Sequence, residues 1–301
     1  MVLEAGSYVG ISLAVLAAFG FALQFIFVRL GTENGSVTDV VLVSLLCNTV
    51  IIVPAAVILS STPLSFQSAI AFAAAGICGS LLARIFMFTS VRRIGASRTS
   101  PIVSSNVMFA TLFAFFFLDE RLSVIHLLGI LLLVGGIAYI SYESSGGSQN
   151  GGLSQFLSAA LVLPLLAALF IGLEPIFISL GFADEAPLLP GLAVNVSAAL
   201  IGFTAYVAFR GELPTRELLH TTDLKWHVGA GLATTIALLA YFSALESAPV
   251  VLVVPVVQTS PLIVVALSAV ILPSRLERVS WRLITAALIV VIGATVVSLH
   301  G

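Results

Sequence analysis

Residues 16–31 read LAAFGFALQFIFVRLG, and residues 166–181 read LAALFIGLEPIFISLG. Set 150 positions apart, the two stretches share eight of sixteen residues: Leu16, Ala17, Ala18, Leu23, Ile26, Phe27, Leu30 and Gly31 all recur. Each lies in an apolar run long enough to cross a bilayer, for which about 20 residues suffice. The repetition continues in order along the chain. At an offset of 154, Ala83, Phe88, Pro101 and Ser105 meet Ala237, Phe242, Pro255 and Thr259. After a three-residue insertion, Glu120, Arg121 and Ser123 meet Glu277, Arg278 and Ser280. One such match is an accident of composition; the ordered series reads as an internal duplication.

Composition places that duplication in a membrane. Of 301 residues, 59% are apolar and 9% charged, against roughly 25% charged in a soluble domain. Mean hydropathy is +1.18. A soluble enzyme, a nucleic-acid binder and a disordered chain are excluded on these grounds, since 12 Lys and Arg and 14 Asp and Glu cannot solvate such a surface. No P-loop, metal spacing or nucleophile motif appears, so the chain is read as a non-enzyme without cofactor or metal. Cys47 and Cys78 lie inside apolar runs and read as small membrane side chains. The first apolar stretch lacks a basic leader, so it is expected to be a retained span rather than a cleaved signal.

Charges, Gly, Pro and Ser clusters divide the chain into ten expected spans. The first five are Tyr8–Leu30, Thr38–Ser60, Phe66–Val91, Ala96–Leu118 and Val124–Tyr142; the second five are Ser154–Leu180, Pro187–Phe209, Leu224–Leu245, Val250–Leu272 and Trp281–Leu299. The runs are twice the length of a barrel strand and lack its alternation. The expected fold is therefore an all-α polytopic membrane protein of ten transmembrane helices. Two five-helix repeats occupy residues 1–142 and 154–301, joined by a linker at 143–153. A repeat with an odd number of spans inserts its second copy upside down, and inverted repeats are characteristic of secondary transporters.

The stretches AAFGFALQFIFVRLG (17–31), LDERLSVIHLLGILLLVGG (118–136) and the run from Ala240 to Gly293 resemble the EamA-like branch of the drug/metabolite transporter superfamily. The resemblance covers essentially the whole chain. Its repeat signature is seen in Glu120-Arg121-Leu122, whereas the second half departs from it with Val279 after Glu277-Arg278. It implies export of amino acids, other metabolites or toxic compounds, and it leaves the substrate open.

Orientation follows from the basic residues. Arg29, Arg92, Arg93, Arg98, Arg210, Arg216, Lys225, Arg275, Arg278 and Arg282 flank the odd-numbered loops, while Arg121 stands on the side of the termini. All loops are short, the regime in which Lys and Arg set topology. That distribution puts the odd side in the cytoplasm and both termini outside the cell membrane. Family resemblance implies the reverse.

Polar groups inside the spans mark the candidate site. An ionisable residue at the bilayer centre costs about 2.5–3.5 kcal/mol on insertion scales. Arg84 is expected about 10 Å deep from the odd side and Glu174 about 9 Å deep from the other, leaving their backbones about 10 Å apart in depth. Arg84 reads either as a snorkelling side chain or as a pathway cation for an anionic group. Glu174, followed by the helix-weakening Pro175, reads as a proton-coupling carboxyl, a ligand for an amine, or a structural carboxyl between helices.

Gln24 is the repeat partner of Glu174. Asn106, Tyr241 and Gln258 lie on spans whose family counterparts line the cavity. The candidate substrate-binding set is Gln24, Arg84, Asn106, Glu174, Tyr241 and Gln258. Asn48 and Asn195, at matching positions, read as packing amides. The expected partners are a small-molecule substrate, the lipid bilayer and a coupling proton, with no nucleic acid. The leading function is a secondary exporter of small metabolites such as amino acids or organic ions, working by alternating access. A proton-coupled amine or drug exporter, and a non-transporting membrane scaffold or sensor, are the alternatives.

Overall fold

The chain folds as a bundle of helices, with no strand among the described residues. The computed structural model describes residues 5–60, 64–117, 124–144, 159–182, 187–211, 223–248 and 250–298. The first-half rods are α1 (Ala5–Gly31), α2 (Val37–Leu59), α3 (Phe66–Ile94), α4 in two pieces (Ala96–Val103 and Asn106–Phe117) and α5 (Val124–Ser144). The second-half rods are α6 (Ala159–Phe182), α7 (Leu188–Phe209), α8 (Leu224–Ser247), α9 in two pieces (Val250–Val257 and Ser260–Ile271) and α10 (Trp281–Ser298). Ten rods stand where ten spans are expected. Among the described residues, eight helices are long and apolar enough to cross a membrane, and Val124–Ile140 is a shorter apolar helix. α5 runs to Ser144, two residues into the expected linker. The rest of that linker, the Glu120-Arg121-Leu122 signature, Ser123, Arg216 and the C-terminal His300 lie outside the described residues.

Packing runs chiefly between the halves. α1 lies against α8 and α9, and its repeat partner α6 lies against α3 and α4. α2 meets α7 and α8, α7 in turn meets α3, and α5 pairs with α10. The core thus sits where the two copies meet, centred on Ile26, Leu45, Phe88 and Phe203. Outward faces carry exposed apolar residues such as Val50, Val57, Phe209 and Val270, as a lipid-facing surface requires.

Both rods containing the repeat prolines are broken, and at corresponding places. Ser104-Ser105 interrupts α4 and Gln258-Thr259 interrupts α9. In each, a hydroxyl donates to the carbonyl three residues back: Ser105 Oγ to Ile102 at 2.7 Å and Thr259 Oγ1 to Val256 at 2.6 Å. The same carbonyls also accept the backbone N–H of Ser105 and Thr259, both at 3.1 Å. Tightened turns of this kind compete with the α-helical ladder, and Pro101 and Pro255 have already removed one donor from each rod. Broken helices are tolerated at membrane depth where neighbouring protein satisfies the freed groups.

One irregularity has no counterpart. Residues Gly76–Ala83 of α3 form a π-helical segment, whereas α8 is helical without such a segment. Single π-turns occur disproportionately at functional sites. Glu174 and Asn195 meet α3 at this segment, and Arg84 directly follows it. In α6, by contrast, the helix continues through both Pro164 and Pro175, so the local weakening expected beside Glu174 does not interrupt its own rod.

Candidate functional site

Two glycines let α3 come close to its neighbours. A Cβ added at Gly76 would lie 2.1 Å from the backbone oxygen of Asn195, and one at Gly79 would lie 2.0 Å from Oε2 and 2.6 Å from Oε1 of Glu174. The Glu174 carboxylate therefore rests directly on the backbone of the π segment. Its Oε1 accepts from Asn195 Nδ2 at 3.2 Å, and Asn195 Oδ1 accepts from Ser80 Oγ at 2.7 Å. α3, α6 and α7 are joined at this point by one chain of hydrogen bonds. Tyr241 on α8 and Cys78 on α3 lie within reach of the carboxylate's field. Glu174 as a residue is half-buried. Beside Asn195 a narrow cleft runs between Phe72, Ile178, Leu192 and Phe242.

Arg84 follows the π segment and points elsewhere. Its side chain is 5% exposed, and Nη1 donates to Ser44 Oγ at 3.0 Å. With the Asn48 amide oriented to satisfy its neighbours, Asn48 Oδ1 accepts from both Nη1 and Nη2 at 3.1 Å. The amide nitrogen then donates to Thr235 Oγ1 at 2.9 Å and to the backbone oxygens of Ser44 and Gly231 at 3.1 and 3.2 Å. The guanidinium is enclosed between α2, α3 and α8, and the side chain does not snorkel to the surface. Arg84 and Glu174 interact electrostatically, yet among the described residues no ion pair joins them. Each charge is held by an asparagine instead.

The remaining candidates are spread around this centre. Gln24 is buried in α1. Asn106 opens the second piece of α4, and a Cβ at Gly172 would meet its backbone oxygen at 2.7 Å, placing it two residues along α6 from Glu174. Its side-chain oxygen is buried without a hydrogen-bond partner among the described residues. Gln258 stands in the break of α9, its N–H bonded to Val254 at 2.9 Å. Glu174, Asn195, Ser80 and Tyr241 therefore gather in one region with Asn106 nearby, while Arg84 belongs to a second cluster. Asn195 and Ser80 take part in the Glu174 cluster although the sequence reading treats Asn195 as packing and passes over Ser80. The signal available in the sequence is the pair of glycines in GICGS (76–80), spaced to admit a neighbour.

Glu277, the repeat partner of Glu120, has a structural task. Its carboxylate accepts from the N–H groups of Ala96 at 3.0 Å and Ser97 at 2.6 Å, and from the Ser97 hydroxyl. It closes the N-terminus of α4, where a negative group is favoured by unpaired donors and the helix dipole. Gly95, at φ 93°, turns the chain from α3 into α4 directly against it.

A model of the EamA-like transporter family matches the chain twice, over residues 8–142 and 158–299. No curated protein sequence matches it. Fourteen chains of solved structures do. One, a crystal structure of a protein, is 17% identical with a TM-score of 0.62, covering 98% of this chain and 96% of that one. That likeness shows the fold alone.

Proposed function

Since the chain belongs to the EamA-like transporter family, whose members are membrane transporters, we propose that it is a secondary exporter of small amine-bearing metabolites, amino acids among them. The observation that carries this reading is the contrast between its two intramembrane charges. Arg84 is 5% exposed and bonded to Asn48 and Ser44, whereas the half-buried Glu174 has its carboxylate held by a single neutral amide. A buried guanidinium already committed to protein acceptors is a poor site for a substrate anion. A carboxylate with free acceptor capacity suits an ammonium group or a proton.

In this reading the two copies are inverted, and alternating access comes from rocking one copy against the other. The paired breaks in α4 and α9 supply places where short helical pieces can move without unwinding a whole span. Glu174 releases its proton as the substrate amine arrives and takes one up as the amine leaves, so the two compete for one carboxylate. The ten-to-one distribution of basic residues puts the odd side in the cytoplasm and the termini outside.

Reconstituted Glu174→Gln protein tests the site. If Glu174 holds the amine, the variant loses affinity for cationic substrates far more than for neutral analogues. If it only couples protons, substrate exchange persists and uphill transport loses its dependence on the proton gradient. Wild-type rates with an unchanged pH profile would refute both roles.

A further inference from the structure

A second cavity lies away from Glu174, at the odd-side ends of α2, α3 and α7. Its volume is about 700 Å³, and its lining includes Val41 of α2, Ile85, Arg92 and Arg93 of α3, and Phe203 and Tyr206 of α7 with Arg210 at its C-terminal cap. Three arginines line one space, and the described lining residues include no carboxylate. Among the described residues, Arg92 and Arg93 have no side-chain partner; only the Arg92 carbonyl is engaged, by Arg29 Nη1 at 2.9 Å.

The geometry points to a binding site for the phosphate headgroup of an anionic phospholipid. Charge complementarity is the first reason: Arg92 and Arg93, with no side-chain partner among the described residues, stand beside one cavity, and a phosphate accepts several guanidinium hydrogen bonds at once. Shape is the second. The same cavity has an apolar wall of Val41, Ile85 and Phe203, against which the first carbons of an acyl chain can lie. A volume of this size is also far more than a bare phosphate needs.

The third reason is the rim. Arg210 Nη1 donates to the Tyr206 hydroxyl at 2.9 Å, and the guanidinium carbon sits 5.7 Å from the ring centre. Next to it, Phe209 is 94% exposed. Aromatic side chains at a helix end beside arginine are the pattern of the membrane–water interface. Basic pockets between helices at this depth are suited to anionic headgroups.

The site does not depend on the reading of Glu174. A lipid there would bridge α2, α3 and α7, the three rods that carry Asn48, Arg84 and Asn195.

Detergent-purified wild-type protein and an Arg92→Gln/Arg93→Gln variant would be titrated with phosphatidylglycerol and, separately, phosphatidylcholine, with bound lipid counted by native mass spectrometry. Each guanidinium near an anionic lipid is worth about fivefold in affinity, so the double variant should bind phosphatidylglycerol roughly thirtyfold more weakly. Its phosphatidylcholine binding should not change. Arg93→Gln alone should lose about fivefold, which keeps the test alive should the double variant fold poorly. A third titration uses glycerol phosphate, which carries the charge without the chains. Binding of phosphatidylglycerol at least tenfold tighter than glycerol phosphate supports the lipid site. Equal affinity for the two would show a soluble-anion site, and equal phosphatidylglycerol binding by wild type and double variant would show that the arginines recognise no anion. Either result overturns the proposal.

Discussion

Gly79→Ala is the sharpest perturbation of the site, because it adds a single carbon directly against the Glu174 carboxylate. The new Cβ would stand 2.0 Å from Oε2 and 2.1 Å from the carboxylate carbon. Ordinary contact begins near 3.5 Å, so the carboxylate has to retreat by about 1.5 Å. Its 3.2 Å bond from Asn195 cannot survive that shift. A hydrogen bond to a charged group contributes about 1.5–3 kcal/mol, or 10- to 150-fold in an equilibrium constant. Because Glu174 is only half-buried, water offsets part of the loss and the lower end applies. Apparent substrate affinity in reconstituted counterflow should therefore fall about tenfold. Folding loses the same bond, but the displaced atoms end a flexible side chain and alanine is about 1 kcal/mol better than glycine in a helix, so net stability should change by no more than about 1 kcal/mol.

Gly76→Ala is the matched control. Its Cβ would meet backbone, the Asn195 oxygen at 2.1 Å and carbonyl carbon at 2.8 Å, and backbone cannot swing aside. Overpacking of this kind costs about 1–3 kcal/mol, so thermal stability should drop and α7 should part from α3. Wild-type affinity in folded Gly79→Ala protein would refute the placement of Glu174 in the pathway. A Gly76→Ala protein as stable as wild type would refute the close approach of α3 to α7.

The other predictions concern the second charge, the α4 cap and the orientation. Arg84→Ala should chiefly lower thermal stability and membrane level, because it strands Ser44 and Asn48 in a sealed site at about 1–3 kcal/mol for each unsatisfied group; a fully stable Arg84→Ala protein lacking transport would instead make Arg84 a pathway cation. Glu277→Gln keeps the shape of the α4 cap but removes its charge, and should lower stability in detergent by about 0.5–1 kcal/mol, with no change in substrate selectivity. A reporter fused after His300 should be found outside the cell, and a tag placed within residues 145–152 should be found in the cytoplasm; the opposite result reverses the orientation and leaves the fold intact.

The rods were legible because bilayer thickness imposes a length, and lengths of apolar sequence can be counted directly. Nine of the ten expected starts fall within three residues of a described helix start, and the tenth, at Ser154, precedes the first described residue of α6. The breaks were half legible. Pro101 and Pro255 announce weakness in the fourth and ninth rods, but the interruption falls three residues later, where the Ser105 and Thr259 hydroxyls capture a carbonyl. The π segment left no periodic trace, since one inserted turn shifts the hydrophobic phase within a run that is apolar on every side. The partners of Arg84 and Glu174 were hidden for another reason. They lie 36 and 21 positions away in sequence, on other rods, and pairing across rods is decided by packing that one sequence does not display.

What the duplication does show, once the contacts are known, is how a near-symmetric scaffold came to carry two unlike charges. Asn48 and Asn195 occupy matching positions in α2 and α7, and each is tied to a hydroxyl on a rod of the other half, Thr235 on α8 and Ser80 on α3. Each also holds one ionisable group. The positions that mate with those groups are neutral: Gln24 matches Glu174 at an offset of 150, and Leu238 matches Arg84 at 154. The amide–hydroxyl pair is therefore the shared framework, and the charges are what the copies do not share. One copy's asparagine holds a cation, 5% exposed, between three helices. The other presents a carboxylate on a glycine-lined π segment that its twin lacks. If that asymmetry serves transport, Gln24→Glu, which gives α1 the carboxylate that α6 carries, should not create a second site, because α8 has no π segment to seat it.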